Sequence, residues 1–337
     1  PSASRILSEP LGTALIVSPW NYPVQLLLNP LVGAISAGCT AVLKPSPYTP
    51  HVSATLRAMI GEIYDERYVA VVEGNRDVNT LLLDRRWDLV FFTGSPELGR
   101  IVMAAAARHL TPVILELGGK SPCIVDRGAD VETAARRIAW GKTLNAGQTC
   151  IAPDYLLLHE SLADAFPAAY ARALRRLHGD DARQSPHYVR LVNDRAFDRV
   201  ASYLAQGTVR LGGRTDRAER YIEPTLLTEV DPLAPVMREE IFGPVLCIIP
   251  YDTVEEAVSI ANDTPYGLSG YVHAPTKAEA VAVAKRIHSG NVYINDAPRD
   301  VTAPFGGYKQ SGIGREGGLA GLLEFTQQKA VFDRTTY

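Results

Sequence analysis

Short apolar runs alternate with helical patterns along most of this chain, and that alternation constrains its fold more than any other feature. Apolar runs of about five residues between amphipathic helices build βαβ units around a largely parallel sheet. The first half predicts strands at Thr13–Val17, Thr40–Leu43, Tyr68–Val72, Asp88–Phe92 and Val113–Glu116. Between them it predicts helices over Leu31–Ala37, ended by Gly38, over His51–Ile63 and from Glu97 onward. This is a nucleotide-binding layout over roughly the first 118 residues. The alternation then resumes, with strands at Cys123–Val125, Tyr155–Leu158, Val245–Ile249, Gly270–His273 and Asn291–Ile294. Helices are expected over Val131–Trp140, Ser161–Leu177, Val254–Ala261 and Lys277–Ile287. Gly118-Gly119 separates the halves and reads as a hinge.

Composition removes several functional classes. A chain of 337 residues, 46% of them apolar, can bury one large core or two smaller ones. A net charge of -3 without a block of like charges gives no reason to expect nucleic acid. Arg172, Arg175 and Arg176 read as a solvated helix face. The four cysteines, Cys39, Cys123, Cys150 and Cys247, are widely spaced and form no C-x-x-C, which favours a reducing compartment over a disulfide framework. The seven histidines form no H-x-x-x-H pair, so no metal site is expected. No apolar run approaches the roughly 18 residues that span a bilayer. The chain opens Pro1-Ser2-Ala3-Ser4, without an initiator Met or an apolar signal segment.

Two segments carry chemistry. Cys150 closes the run Asn145-Ala146-Gly147-Gln148-Thr149-Cys150, whose small and polar residues are poor core material. A thiol near the start of an element, close to backbone N–H groups, is poised to ionise. Glu116 ends an apolar strand immediately before Leu117-Gly118-Gly119-Lys120. Nucleophile and base together suffice for covalent chemistry at a carbonyl carbon. Pro19-Trp20-Asn21-Tyr22-Pro23 adds a turn held between two prolines, from which the Asn21 amide can donate to an oxyanion. Phe92-Thr93-Gly94-Ser95 with Gly99 lacks the G-x-G-x-x-G spacing, yet puts a Gly-Ser turn at a helix start, where N–H groups receive phosphate. Gly119-Lys120-Ser121 is not the tail of a P-loop, because Ile114 stands where that motif needs glycine.

In this order the motifs resemble those of the aldehyde dehydrogenase superfamily, from about Leu11 to Val331, and most closely its class 3 and related fatty or aromatic aldehyde branches. The resemblance implies a parallel-sheet cofactor domain over 1–118, an α/β catalytic domain over 119–311, and a C-terminal return with a short oligomerisation strand over 312–337. It implies Cys150 as nucleophile, Glu116 as base, and an oxyanion hole of Asn21 with the Cys150 N–H. NAD or NADP would be held by Trp20, Lys44, Gly94, Ser95, Gly99, Leu117, Glu240 and Phe242. Tyr22 and Phe305 would line an aldehyde tunnel, with Asn295 and Gly306-Gly307-Tyr308-Lys309-Gln310-Ser311-Gly312 lining the pocket.

Two departures stand out. Many members carry Lys-Pro-Ser-Glu where this chain has Lys44-Pro45-Ser46-Pro47. Pro47 offers no carboxylate to the ribose 2′-hydroxyl and no repulsion to a 2′-phosphate, so NADP is expected to serve alongside NAD. Members also carry on the order of a hundred further residues before Leu11, so the chain reads as N-terminally shortened, with Arg5–Glu9 as the remnant of an oligomerisation hairpin. A strand over Lys329–Asp333 would pair there or with a partner subunit. The expected protein is a cytoplasmic homodimer or homotetramer that acts on a small-molecule aldehyde. The alternatives are a coenzyme A-acylating relative and a non-catalytic binding or assembly relative.

Overall fold

The computed structural model describes residues 2–297 and 303–334 of the chain. It divides into two units. The first takes the residues up to Leu117, a short stretch ending at Gly306, and the segment from Gly312 on. The second starts at Gly118 and also contains Gly307–Ser311.

The first unit begins with β1 (Ser2–Pro10), β2 (Thr13–Val17), α1 (Gln25–Ala37), β3 (Thr40–Lys44), α2 (Pro50–Ile63) and β4 (Val69–Val71). It continues through α3 (Arg76–Leu83), β5 (Leu89–Thr93), α4 (Pro96–Ala107) and β6 (Val113–Glu116). β5 is buried along its whole length, which is why it reads as an unbroken apolar run. α1 ends at Gly38, whose φ of 89° lets its N–H turn back to the carbonyls of Ala34 and Ile35. At its other end α1 starts at Gln25 instead of Leu31. Pro30 lies inside the helix among the buried residues Leu27, Leu31 and Ala34, so burial of that stripe outweighs the lost backbone hydrogen bond. α3 is not among the helices the sequence predicts: it is only eight residues long, and Leu82 and Leu83, half-buried against the first unit's core, make too short an apolar stripe to stand out.

The second unit comprises β7 (Pro122–Val125), α5 (Val131–Thr143), β8 (Tyr155–His159), α6 (Ala165–His178), α7 (Asp194–Ser202), β9 (Thr208–Leu211), the short pair β10 (Thr215–Asp216) and β11 (Tyr221–Ile222), and β12 (Thr225–Thr228). After α8 (Pro235–Arg238) come β13 (Val245–Tyr251), α9 (Val254–Asn262), β14 (Ser269–His273), α10 (Lys277–Ala284) and β15 (Asn291–Ile294). Its sheet runs β15-β14-β7-β8-β13-β12-β9, parallel except for β9. Side chains alternate between two buried clusters: Ile124, Leu157 and Val272 belong to one, and Cys123, Leu156 and Tyr271 to the other. α6 starts at Ala165 because residues Glu160–Leu162 form a 3₁₀ turn, and α10 stops at Ala284, short of Ile287.

Three elements return to the first unit: β16 (Gly312–Ile313), α11 (Gly318–Leu323) and β17 (Thr326–Arg334). The first unit's main sheet is therefore β16-β6-β5-β2-β3-β4, parallel except for β16, which runs against β6 with Gly312 opposite Glu116. β17 pairs along all of β1, from Ala3 opposite Asp333 to Pro10 opposite Thr326. No helix among the described residues is long and apolar enough to cross a membrane.

Candidate active site

Asn21 and Glu116 belong to the first unit; Cys150, Glu240 and Phe242 belong to the second. In the first, the candidate residues cluster at the carboxyl edge of the parallel sheet. Trp20, Asn21 and Tyr22 form the turn that carries the chain from β2 into α1, and all three are half-buried. Gly94 donates its N–H to the Glu116 carbonyl at 3.0 Å, tying the end of β5 to the end of β6. Ser95 then caps α4, its hydroxyl accepting the N–H of Leu98 at 3.3 Å, with Pro96 at the first helical position. A Cβ at Gly94 would stand 2.5 Å from the Phe92 ring, and one at Gly99 2.7 Å from Leu117, so both glycines are needed for close approach. Lys44, at the end of β3, is buried and donates to the Pro45 carbonyl at 2.7 Å. Burial lowers its pKa, and the charge of Glu73 partly restores it.

Glu116 is 4% exposed, and neither carboxyl oxygen has a hydrogen-bond partner among the described residues. Burial raises its pKa well above the ordinary carboxyl value; the nearby Glu316 adds to the rise and Arg315 opposes it. Glu316 is itself buried and raised to about 7 by desolvation. The return segment brings these groups near each other. Phe305 and Glu316 exchange backbone hydrogen bonds of 2.8 and 2.7 Å. Gly306, at φ 157°, lies so close to Glu116 that a Cβ there would stand 2.8 Å from Oε1.

In the second unit, Cys150 occupies a turn between the 3₁₀ segment Leu144–Gly147 and β8. This corrects the expectation of a thiol near the start of an element: α5 runs on to Thr143, and Asn145 and Ala146 then adopt left-handed φ of 51° and 52°. Gln148 holds this turn, accepting the Val192 N–H at 2.9 Å and donating to the Arg190 carbonyl at 3.2 Å. Cys150 is half-buried, whereas Cys39, Cys123 and Cys247 are buried.

The Gly118-Gly119 pair serves close packing. Glu240 accepts the Gly119 N–H at 3.0 Å, and a Cβ at Gly118 would stand 2.4 Å from Glu240 Oε2. A Cβ at Gly119 would stand 2.6 Å from the Cys150 carbonyl. The pair stands where the second unit begins, as expected, but neither glycine has positive φ, so their use is the absence of a side chain and not the backbone freedom of a hinge. The Glu240 carboxyl group lies inside the fold, where burial raises its pKa to about 8 against the pull of the Gly119 N–H. Arg199 donates to the Glu240 and Ile241 carbonyls at 3.0 and 2.8 Å, and Phe242 follows at φ 47°, a strained value for a bulky residue. Asn295 engages Ala274 with both ends of its amide, at 2.9 and 3.1 Å.

A buried charge cluster supports this region, and no sequence motif pointed to it. Lys120 donates to Asp154 Oδ2 and to the Val236 carbonyl, both at 2.6 Å, while Asp154 Oδ1 accepts the Ile241 N–H at 3.1 Å. Lys142, wholly buried, lies 3.7 Å from Asp154 Oδ1, and burial lowers its pKa to about 8. Asp154 is thus shared by two buried ammonium groups. Asp154→Ala should destabilise the protein by ~3–5 kcal/mol, because it strands buried charge. An unchanged urea midpoint would contradict this.

The first unit's sheet edge suits a dinucleotide, offering bare glycine backbone, a helix start able to receive phosphate, and a buried cation at a strand's carboxyl end. Among the described residues no cluster of three or more His, Cys, Asp or Glu could hold a metal ion.

The profile of the aldehyde dehydrogenase family matches residues 2–331. The chain belongs to that family. It is 43% identical over 341 residues to the 4,4′-diaponeurosporen-aldehyde dehydrogenase of Staphylococcus aureus, covering 100% of this chain and 74% of that one. It is also 43% identical to the dimeric, NADP-preferring aldehyde dehydrogenase of Rattus norvegicus, over 96% of this chain and 72% of the relative. Human aldehyde dehydrogenase family 3 member B1 is 42% identical over 98% of this chain and 71% of its own length, in line with the class 3 resemblance. Among solved structures, substrate-bound Staphylococcus aureus AldH superposes with a TM-score of 0.95 at 42% identity, over 100% of this chain and 74% of that one. The Mycobacterium tuberculosis aldehyde dehydrogenase complexed with NAD+ gives 0.93 at 36% identity, over 99% and 71%. The chain is an oxidoreductase acting on aldehydes with NAD or NADP.

Proposed function

We propose that this aldehyde dehydrogenase converts a small-molecule aldehyde to its carboxylic acid through a covalent intermediate on Cys150. The observation that carries the reading is the contrast among the cysteines: Cys150 alone of the four reaches solvent, and it sits in a turn packed against Gly119. Its thiolate adds to the aldehyde carbon, forming a C–S bond and a thiohemiacetal oxyanion. The Asn21 amide and the Cys150 N–H donate to that oxyanion. The dinucleotide, when bound, supplies a hydride acceptor; Trp20, Lys44, Gly94, Ser95, Gly99, Leu117, Glu240 and Phe242 would hold it. The thioester then left on Cys150 is hydrolysed by water whose proton passes to Glu116, and cleavage of the C–S bond returns the thiolate. Tyr22 and Phe305 would give the substrate aromatic walls.

An oxyanion donor of this kind contributes about 3 kcal/mol, so Asn21→Ala should lower kcat roughly 100-fold. The check is NAD(P)H absorbance with a panel of aliphatic and aromatic aldehydes. Wild-type turnover of none of them would refute the reading, and full activity in Asn21→Ala would remove Asn21 from the oxyanion hole. Equal product with and without coenzyme A would separate hydrolysis from acyl transfer. The same reading includes a cytoplasmic homodimer or homotetramer. The dimeric rat relative supports the oligomer, and light scattering tests it.

A further inference from the structure

The β3–β4 edge holds a carboxylate that the motifs did not reveal. Leu43 pairs with Val71, and Val72 continues the ladder by donating its N–H to the Leu43 carbonyl at 2.8 Å. Glu73 therefore emerges one step beyond, at the carboxyl edge of the sheet beside the end of β3, which is Lys44. Gly74 follows at φ 145° and turns the chain toward α3. The Glu73 carboxylate lies 3.3 Å from the Arg57 guanidinium on α2, with a side chain 32% exposed. One acid and two cations thus meet at the outer carboxyl corner of the sheet, where open α/β folds bind their ligands. Pro47, at the position where a ribose-binding acid was sought, is exposed and contributes no charge.

We propose that Glu73 reads the adenosine ribose and sets the preference between NAD and NADP. This rests on the dinucleotide-binding role of the first unit and deepens it. A carboxylate there accepts hydrogen bonds from ribose hydroxyls and repels a 2′-phosphate. Lys44 and Arg57 attract that phosphate, so the acid and the two bases oppose each other and wild type uses both cofactors, NAD the better. Without the carboxylate, the two cations face the phosphate unopposed.

The test is equilibrium binding of NADH and NADPH, followed by fluorescence of the reduced nicotinamide, in wild type and Glu73→Gln. The ratio of the NADPH to the NADH dissociation constant should fall by about 10- to 100-fold in the variant, through weaker NADH and tighter NADPH binding. Arg57→Ala in the Glu73→Gln background should undo the NADPH gain. A ratio shifted by less than threefold, with both proteins still binding, overturns the role of Glu73 alone. So does an equal loss of both nucleotides, which marks a structural effect. Wild-type protein that binds neither nucleotide overturns the dinucleotide reading itself, and this proposal with it.

Discussion

Cys150→Ala should end aldehyde-dependent NAD(P)H production, a loss on the order of 10⁵-fold or more, while NAD(P)H still binds. The size of the effect follows from the lack of a substitute. Cys39 is buried and donates its thiol to the Phe325 carbonyl at 3.3 Å. Cys123 and Cys247 are buried in the second unit's sheet, where desolvation raises both thiols, Cys247 to about 12. At neutral pH neither supplies a thiolate, and the thiolate is the attacking species. Cys150→Ser should do little better, since a hydroxyl without a matched base is a far weaker nucleophile. Steady-state absorbance measures the loss, nucleotide fluorescence shows the retained binding, and mass spectrometry of the wild type quenched during turnover should find the acyl group on the peptide containing Cys150. Residual turnover above about 1% of wild type would assign the chemistry elsewhere.

Much of the fold is legible because strands buried on both faces write themselves as continuous apolar runs. Thr13–Val17 and Val113–Glu116 have the same limits in sequence and structure for this reason, and so does Asn291–Ile294, although it is a half-buried edge strand. α3 is hard to see in the sequence because its eight residues offer only a short apolar face, and the start of α1 is masked by Pro30, which lies inside the helix. The site divides in the same way. The candidate residues proposed to act through their own chemistry, Cys150, Glu116 and Asn21, stand out by type and by their glycine and proline neighbours. Residues that act on another group do not. Glu316 lies two hundred positions from Glu116, and only the antiparallel return of β16 along β6 brings it near. Asp154 reads as an ordinary polar residue before a strand, until Lys120 and Lys142 are found buried against it. Glu73 sits in a run of turn residues, and only the β3–β4 register sets it beside Lys44.

Glu116→Gln should convert the enzyme from many turnovers to nearly one. If Glu116 takes the proton of the hydrolytic water, acylation of Cys150 proceeds without it and deacylation does not. Mixing variant, NAD and aldehyde should then release NADH in a burst equal to the enzyme concentration, followed by a steady rate lower by ~10²–10⁴-fold. Loss of the burst along with the steady rate would place Glu116 at or before acylation. The wild-type pH profile supplies an independent constraint. Burial and Glu316 both hold the proton on Glu116 above the ordinary carboxyl range, so the basic form grows as pH rises and the rising limb of kcat should lie above the pH at which an ordinary carboxyl ionises. Arg315 pulls the other way, so Arg315→Met should move that limb to higher pH, a shift that a purely structural arginine would not produce. The same raised pKa has a cost in stability with a definite sign. The folded protein binds this proton more tightly than the unfolded chain, so its contribution is complete below the ordinary value of 4.5 and is lost as pH rises toward the folded value. Glutamine cannot ionise, so Glu116→Gln should gain stability relative to wild type as pH climbs across that interval. Faster hydrolysis in the wild type and greater stability in the variant should therefore emerge over the same pH range, because both report one buried proton.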